Sequence, residues 1–219
     1  MEQGFFITGT DTDAGKTWAT VSLMHYFKRQ GKSVVGMKPV ASGCLQYQGK
    51  LKNADALLIQ ANATVPIEYD VVNPYAYENP ISPHIAGLDN PLLASVIIER
   101  FNTLKNKAQI ILVEGAGGWL SPLSYQMDVA DLAKQLGLPV ILVVGMQLGC
   151  INHARLSWQA IKFQQLPLAG WIAVCKDPHM RELERNIETI KNYLDGPLLG
   201  ILPFMENADF NQLSTFLSV

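Results

Sequence analysis

The segment G-T-D-T-D-A-G-K-T, residues 9–17, constrains this chain more than any other feature. It follows an apolar, β-branched run and opens a segment with helical spacing, which is the context in which a glycine-rich loop binds phosphate groups. The backbone N–H groups of such a loop attract anions, the Lys16 ammonium can reach terminal phosphates, and the Thr17 hydroxyl can ligate Mg²⁺. Five residues separate Gly9 from Gly15, one more than is usual, but the Gly-Lys-Thr end is intact. The segment predicts a P-loop for a nucleoside triphosphate, and a plain glycine turn before a helix is the weaker alternative.

Strand and helix patterns alternate along the chain. Six short apolar runs predict buried strands at 5–8, 33–38, 110–113, 140–144, 171–175 and 198–202. Helical spacing occurs between them, at 16–30, 54–61, 92–104, 129–136, 151–164 and 181–194. This alternation predicts an α/β fold with a mostly parallel sheet, helices on both faces, and ligands at the carboxyl ends of the strands. The proline-rich stretch 64–90 is expected to be irregular.

Size and composition limit the classes of function. With 219 residues, of which 48% are hydrophobic, one domain spanning 1–219 is expected. A net charge of -2 lacks the positive excess that nucleic-acid binding needs. The three scattered cysteines suggest neither disulfides nor zinc, and the longest apolar run, 139–146, is too short to span a bilayer. We therefore expect a cytoplasmic protein with no nucleic-acid or membrane partner.

Lys38 begins the segment K-P-V-A-S-G at the end of the second predicted strand. That position lies on the same sheet edge as the P-loop, so Lys38 is interpreted as a second cation for a transferring phosphoryl group. A lysine that merely caps a surface strand is the alternative.

Two carboxylates are candidate Mg²⁺ ligands together with Thr17. Asp55 falls in the first turn of a predicted helix, where it could also serve only the helix dipole. Glu114 ends an apolar strand and precedes Gly115-Ala116-Gly117-Gly118. A charge in that place needs a partner, and the glycines allow backbone to approach a ligand closely.

The segment L-G-C-I-N-H, residues 148–153, follows the fourth strand and starts a helix, and therefore predicts another anion-receptive site. Cys150 could be a nucleophile, but no base can be assigned to it, so a lining role is favoured. His84 and His153 are interpreted as structural hydrogen-bonding residues.

The chain resembles the dethiobiotin synthetase family over about residues 6–203. The resemblance is carried, in order, by G-T-D-T-x-x-G-K-T, K-P-V-A-S-G, N-A-D-A-L, V-N-P-Y, S-P-H-I, V-E-G-A-G-G-W, L-G-C-I-N-H-A and L-A-G-W. It implies a homodimeric ligase of biotin biosynthesis that uses Mg²⁺. Its substrates would be 7,8-diaminononanoate, CO₂ (or bicarbonate) and ATP, which react through a carbamate and a carbamic-phosphoric mixed anhydride to give dethiobiotin, ADP and phosphate.

The resemblance also implies roles for single residues. Lys16 and Lys38 would be the catalytic cations, Ser42 would contact the substrate, and Thr17, Asp55 and Glu114 would hold the metal. The distal carboxylate of the substrate would be received from the neighbouring subunit by Cys150, Ile151 and Asn152. The nucleotide would be contacted by Asp13, Ala14, Gly15, Lys16, Thr17, Trp18, Asp55, Glu114, Gly115, Ala116, Gly117, Val174, Cys175, Pro203, Phe204 and Met205.

Val174 departs from the family, in which an asparagine that reads the base is common at this position. A valine side chain offers no hydrogen bond to a base edge, so strict adenine selectivity is not implied.

Two other classes share the P-loop scaffold. Cobyrinate amide synthases also phosphorylate a carboxylate, but they normally carry a glutaminase domain, for which 219 residues leave no room. Partitioning ATPases are nucleotide-driven switches that usually have an extra loop lysine at the position of Asp11. A switch should respond to a macromolecular partner, whereas a ligase should hydrolyse little ATP without its diamine.

Overall fold

The computed structural model describes residues 3–219. Its elements are, in chain order, β1 (Gln3–Gly9), α1 (Lys16–Arg29), β2 (Val34–Met37), β3 (Val40–Ala41), β4 (Leu45–Tyr47), β5 (Lys50–Lys52), α2 (Ala54–Ala61), α3 (Tyr69–Val72), β6 (Tyr75–Ala76), α4 (Pro83–Ala86), α5 (Ala94–Lys105), β7 (Ile110–Gly118), α6 (Val129–Leu136), β8 (Val140–Met146), α7 (Cys150–Phe163), β9 (Leu168–Cys175), α8 (Leu183–Tyr193), β10 (Leu198–Leu202), α9 (Phe210–Leu213) and a 3-10 turn (Ser214–Phe216).

A six-stranded sheet forms the centre of the fold. Its strand order is β10-β9-β8-β1-β7-β2, and every neighbouring pair is parallel. The six predicted strands form this sheet and the six predicted helices flank it, which confirms the predicted α/β class. Strand β8 is buried along its whole length, as expected for a strand covered on both faces.

Two hydrophobic cores lie on opposite faces of the sheet. Alternation along β1 directs Phe5 and Ile7 into one core and Phe6 into the other. The first core includes residues of α1, α2 and α9, and the second includes residues of α5, α6, α7 and α8. Because both faces are covered, the ends of the strands are left to form sites.

The expectation that 64–90 is irregular was wrong in part. The segment forms α3, β6 and α4, and β6 pairs in parallel with β3. Each element has only two to four residues, and Pro83 occupies the first position of α4, where its missing N–H costs nothing. Elements this short carry no measurable periodicity.

The β4–β5 hairpin was not predicted from the sequence. Its two-residue turn, Gln48-Gly49, has φ of +50° and +78°, the backbone that a tight hairpin requires. The flanking strands have three residues each, too few for a clear alternation.

Across residues 3–219 we find no helix with both the length and the apolar character needed to cross a membrane.

Candidate active site

The P-loop connects the carboxyl end of β1 to the start of α1. Gly15 has φ +92° and its carbonyl accepts the first helical hydrogen bond, from Ala19 N at 3.0 Å. Thr10 N donates to Val143 O at 3.0 Å, which ties the loop to β8. The Lys16 ammonium folds back and donates to Asp11 O at 2.7 Å. This arrangement joins the loop to the central sheet and encloses its lysine.

Lys38 follows β2 and lies at the centre of the site. Its Nζ is 2.6 Å from Glu114 Oε1 and 2.7 Å from Asp55 Oδ2. Thr17 Oγ1 donates to the same Glu114 oxygen at 2.9 Å. Residues from α1, α2, β7 and the end of β2 are therefore held within one hydrogen-bonded cluster.

The charges in this cluster are mutually dependent. Burial alone would lower the pKa of Lys38, but the carboxylates of Glu114 and Asp55 outweigh burial and hold the pKa above its ordinary value. For Asp55, burial would raise the pKa, and the Lys38 ammonium instead brings it below its ordinary value. Both groups are consequently charged at neutral pH.

Lys16 responds differently to a similar environment. Burial, together with repulsion from Lys38, lowers its pKa to about 8 even though Glu114 acts in the opposite direction. Its ammonium contacts a backbone carbonyl and, among residues 3–219, no carboxylate within ion-pair distance, whereas Lys38 contacts two. Lys16 is therefore the cation that gains most from an incoming anion.

The residues present fit a magnesium ion. Glu114 is fully buried and its Oε2 atom has no hydrogen-bond partner among the described residues. A buried carboxylate oxygen without a partner is costly unless a cation completes it. Within residues 3–219 no three His, Cys, Asp or Glu side chains cluster as a metal site would. A site with two carboxylates and the Thr17 hydroxyl suits Mg²⁺, which takes its remaining oxygens from phosphate and water.

A cleft of about 800 Å³ lies at this edge of the sheet. Fifteen of the predicted site residues line it: Asp13, Gly15, Lys16, Thr17, Trp18, Lys38, Ser42, Asp55, Glu114, Ala116, Gly117, Val174, Cys175, Phe204 and Met205. The structure thus brings the predicted phosphate, metal and base contacts of one chain together, although it assigns no role to any of them.

Six predicted residues do not line the cleft: Ala14, Gly115, Pro203, Cys150, Ile151 and Asn152. Ala14 is buried and packs against Gly145, since a Cβ added to Gly145 would lie 3.0 Å from the Cα of Ala14. Gly115 is enclosed, since a Cβ there would meet Val129 at 3.0 Å and Phe6 at 3.3 Å.

The 150–152 segment is the start of α7 and lies outside the cleft of its own chain. The Cys150 thiol is buried and its hydrogen-bond partner is Asn186 Oδ1 at 4.0 Å, which is not a base. That contact supplies no base for a nucleophilic thiol, and Cys150 packs in the hydrophobic core of its own chain. Ile151 is half-buried and Asn152 is exposed, so this helix start can face a second molecule.

Several cleft residues were missed by sequence reasoning: Thr12, Ala41, Asn53, Pro80, Ile81, Ser82, Pro83, Ser121 and Lys176. The 80–83 wall packs on the K-P-V-A-S-G segment, since a Cβ on Gly43 would lie 3.3 Å from Pro80 Cβ. Ser82 Oγ and His84 Nδ1 are 2.8 Å apart, in line with a structural role for that histidine. The segment S-P-H-I, residues 82–85, was the sequence signal that could have identified this wall.

Ser42 lines the cleft beside this wall. Its hydroxyl oxygen is buried and has no hydrogen-bond partner in the described structure. A hydroxyl in that state is available to a ligand.

Comparison with known sequences supports one family. A family model described as an AAA domain matches residues 3–212. The ATP-dependent dethiobiotin synthetase BioD of Nitrosospira multiformis is 47% identical, over 100% of this chain and 96% of the relative. The protein of the same name from Cellvibrio japonicus is 44% identical, again over 100% and 96%.

Solved structures support the fold. The septum site-determining protein MinD of Pyrococcus horikoshii, complexed with Mg-ADP, gives a TM-score of 0.55 at 17% identity and covers 93% of this chain and 82% of its own. The signal recognition particle receptor FtsY of Elizabethkingia anophelis, in complex with GDP, gives 0.60 at 15% identity and covers 99% and 64%. At such identities the likeness concerns the fold alone.

Proposed function

The chain belongs to the ATP-dependent dethiobiotin synthetase family of ligases, and from that premise we propose that it converts 7,8-diaminononanoate, CO₂ and ATP to dethiobiotin, ADP and phosphate. The observation that carries the proposal is the convergence of Lys16, Lys38, Thr17, Asp55 and Glu114 at one cleft beside the P-loop.

The proposed reaction has three steps. One amine of the substrate adds to CO₂ and loses a proton, which gives a carbamate. A carbamate oxygen then attacks the γ-phosphorus of ATP, the bond to the bridging oxygen breaks, and ADP leaves. The second amine attacks the carbonyl carbon of the mixed anhydride and loses a proton, phosphate leaves, and the cyclic urea closes. Each step brings reacting groups together and stabilises oxyanions, for which position and charge are the main requirements.

The two lysines meet these requirements from different sides. Lys38 has three N–H donors and two are directed to Glu114 and Asp55, so one remains for a carbamate or phosphoryl oxygen. Lys16 lies on the P-loop side, where its ammonium is held within the loop. We assign Lys16 to the β- and γ-phosphates and Lys38 to the transferring group.

Magnesium would be held by Thr17, Asp55 and Glu114, with the unpartnered Glu114 Oε2 as the strongest indication. When bound, the ion would neutralise charge on the phosphate oxygens. The protein groups supply the rest: the P-loop amides orient the triphosphate, and the buried setting of Lys38 keeps water from the anhydride.

The substrate would extend from Ser42 along the 80–83 wall, away from the P-loop. The free hydroxyl of Ser42 supports a contact with the reacting end. The start of α7, a helix of 14 residues, would receive the distal carboxylate of a substrate bound to a second subunit. Because residues 150–152 do not line the cleft of their own chain, this assignment requires a homodimer with shared active sites.

Residues 1–219 would act as one catalytic domain, since the two cores share one sheet. We place the reaction in the cytoplasm, in keeping with three free, buried cysteines. Neither nucleic acid nor a membrane is assigned as a partner.

The decisive experiment measures phosphate release from Mg²⁺, ATP and bicarbonate, with and without 7,8-diaminononanoate, while dethiobiotin is followed by mass spectrometry. Diamine-dependent phosphate matched by dethiobiotin is the expected result. Lys16→Ala should reduce it by at least about 100-fold, whereas Lys50→Ala, which removes an exposed partner of Asp70, should leave it unchanged. ATP hydrolysis that does not depend on the diamine and is stimulated by a macromolecular partner would instead support the partitioning-type switch.

A further inference from the structure

A buried hydrogen-bond network behind the site connects Lys38 to the helix that carries Asp55. Asn73 Nδ2 donates to Lys38 O at 2.7 Å and to Tyr75 O at 3.2 Å. Tyr69 Oη donates to Asn73 Oδ1 at 2.9 Å and accepts from Asn53 N at 2.7 Å. Neither Asn73 nor Tyr69 lines the cleft, and both are buried.

The direction of every bond in this network is determined. Tyr69 has one hydroxyl proton, and because its oxygen already accepts from a backbone N–H, that proton goes to Asn73 Oδ1. The amide nitrogen of Asn73 then faces two carbonyl oxygens, which only a donor can do. Burial raises the pKa of Tyr69, so the hydroxyl remains a donor throughout the neutral range.

The network ends at the start of α2. Asn53 is the N-cap of that helix, and its side chain accepts from Ala56 N at 3.2 Å. Asp55 lies in the first turn, two residues after the Asn53 N–H that Tyr69 binds. A fixed Asn53 backbone therefore fixes the position from which the Asp55 side chain extends.

Together these contacts form a closed circuit. It runs from Lys38 Nζ to Asp55 Oδ2, through the first turn of α2 to Asn53, and through Tyr69 and Asn73 back to the Lys38 carbonyl. We infer that Tyr69 and Asn73 are positioning residues, which set the distance between the Lys38 ammonium and the Asp55 carboxylate and so the alignment of both for phosphoryl transfer. The inference gives a role to V-N-P-Y, which contains Asn73, and to Asn53, the first residue of N-A-D-A-L.

The test compares Tyr69→Phe with Tyr77→Phe. Both residues are buried tyrosines that donate one hydrogen bond, but Tyr77 donates to Asn90 O and has no link to Lys38. Tyr69→Phe should lower kcat about tenfold and raise the Mg²⁺ concentration needed for half-maximal rate. The KM for ATP should change less than about twofold, because the P-loop lies on other elements. Tyr77→Phe should leave kcat and the Mg²⁺ requirement within about twofold of wild type.

A double-mutant cycle separates positioning from simple loss of stability. In an Asp55→Asn background the alignment is already lost, so adding Tyr69→Phe should change kcat by less than about twofold. Equal effects of Tyr69→Phe in both backgrounds, or kinetics matching those of Tyr77→Phe, would refute the inference. Asn73→Ala removes the next residue of the circuit. It should also lower kcat and raise the Mg²⁺ requirement with little change in the KM for ATP. This variant provides a second test if Tyr69→Phe is too unstable to purify.

This inference deepens the proposed function and depends on it, yet the two fail in different ways. Wild-type protein with no diamine-dependent turnover would reject the proposed function. Active wild-type protein with unaffected Tyr69→Phe and Asn73→Ala variants would reject the inference alone.

Discussion

The backbone of Gly15 packs directly against the side chain of Val174: a Cβ added to Gly15 would lie 2.6 Å from Val174 Cγ1. Val174 lies near the end of β9 and is 3% exposed. It therefore packs against the P-loop as well as lining the cleft. The position that departs from the family pattern is therefore also a packing position for the phosphate-binding turn.

Gly15→Ala should damage both stability and nucleotide binding. The new methyl group would occupy a left-handed backbone and overlap Val174, and we expect a loss of about 2–5 kcal/mol in the free energy of unfolding together with weaker ATP binding. Chemical denaturation and calorimetric titration with ATP measure the two effects.

Gly31→Ala is the matched control, because Gly31 has φ +74° but no atom within 4 Å of the added Cβ. It should lose only the backbone contribution, about 1–2 kcal/mol, and keep its ATP affinity. Equal destabilisation of the two variants would show that the contact with Val174 is unimportant.

Lys38→Met should slow turnover strongly and destabilise the protein. The variant leaves the fully buried Glu114 without its cation, which we expect to cost about 3–5 kcal/mol in the free energy of unfolding. If Lys38 faces the transferring group as proposed, loss of its charge should reduce kcat by about 100- to 1000-fold.

The double variant Lys38→Met/Glu114→Gln separates these two effects. Removing both charges should recover most of the lost stability, since no buried ion is left unpaired. Turnover should not recover, because the cation is still missing. A double variant as unstable as Lys38→Met, or an active Lys38→Met protein, would contradict this account.

The sequence predicted the long helices and strands because each is long enough to show its pattern of buried positions. Strand β8 and helix α6, for example, lie within two residues of their predicted limits. The two-residue strands β3 and β6 could not be predicted, because two residues contain no alternation and their pairing joins positions 35 residues apart. Pairing of that kind depends on where the chain returns in space.

The sequence predicted fifteen residues of the cleft, missed nine others and gave no geometry for any of them. Motifs identified Lys38, Asp55 and Glu114 as separate candidates, yet no spacing reveals that one ammonium bridges both carboxylates. Tyr69 gave no signal, and Asn73 was noticed only as part of V-N-P-Y, because the roles of both depend on a hydrogen-bond path formed only after α2 and α3 pack together. Side-chain direction, rather than residue type, was the missing information.

ATP affinity should fall as the pH rises above about 8. Burial lowers the pKa of Lys16 to about 8, and phosphates bound beside it would favour its charged form and raise that pKa. Between the two values ATP binding takes up a proton, so each pH unit should weaken binding by up to about tenfold. Below pH 8 the ammonium is already formed, and this residue should contribute no pH dependence.

Lys16→Arg is the control for this prediction, because its guanidinium stays protonated over the whole range. Its affinity for ATP, measured by titration at pH 7 to 10, should be lower overall but should lack the decline above pH 8. A parallel decline in both proteins would assign the effect to another group.

Nucleotide base selectivity should be low. The part of the cleft that we assign to the base is lined by Val174, Cys175, Phe204 and Met205, and the side chain of Val174 can pack on a base but cannot hydrogen-bond to its edge. We therefore expect GTP and CTP to support dethiobiotin formation with kcat/KM within about tenfold of the ATP value, as measured by competition between nucleotides. Val174→Asn should increase the preference for ATP by offering an amide to the base edge, and Ile201→Asn, a half-exposed change on β10 outside the cleft, serves as the control. A wild-type preference for ATP above about 100-fold would mean that backbone groups read the base without help from residue 174.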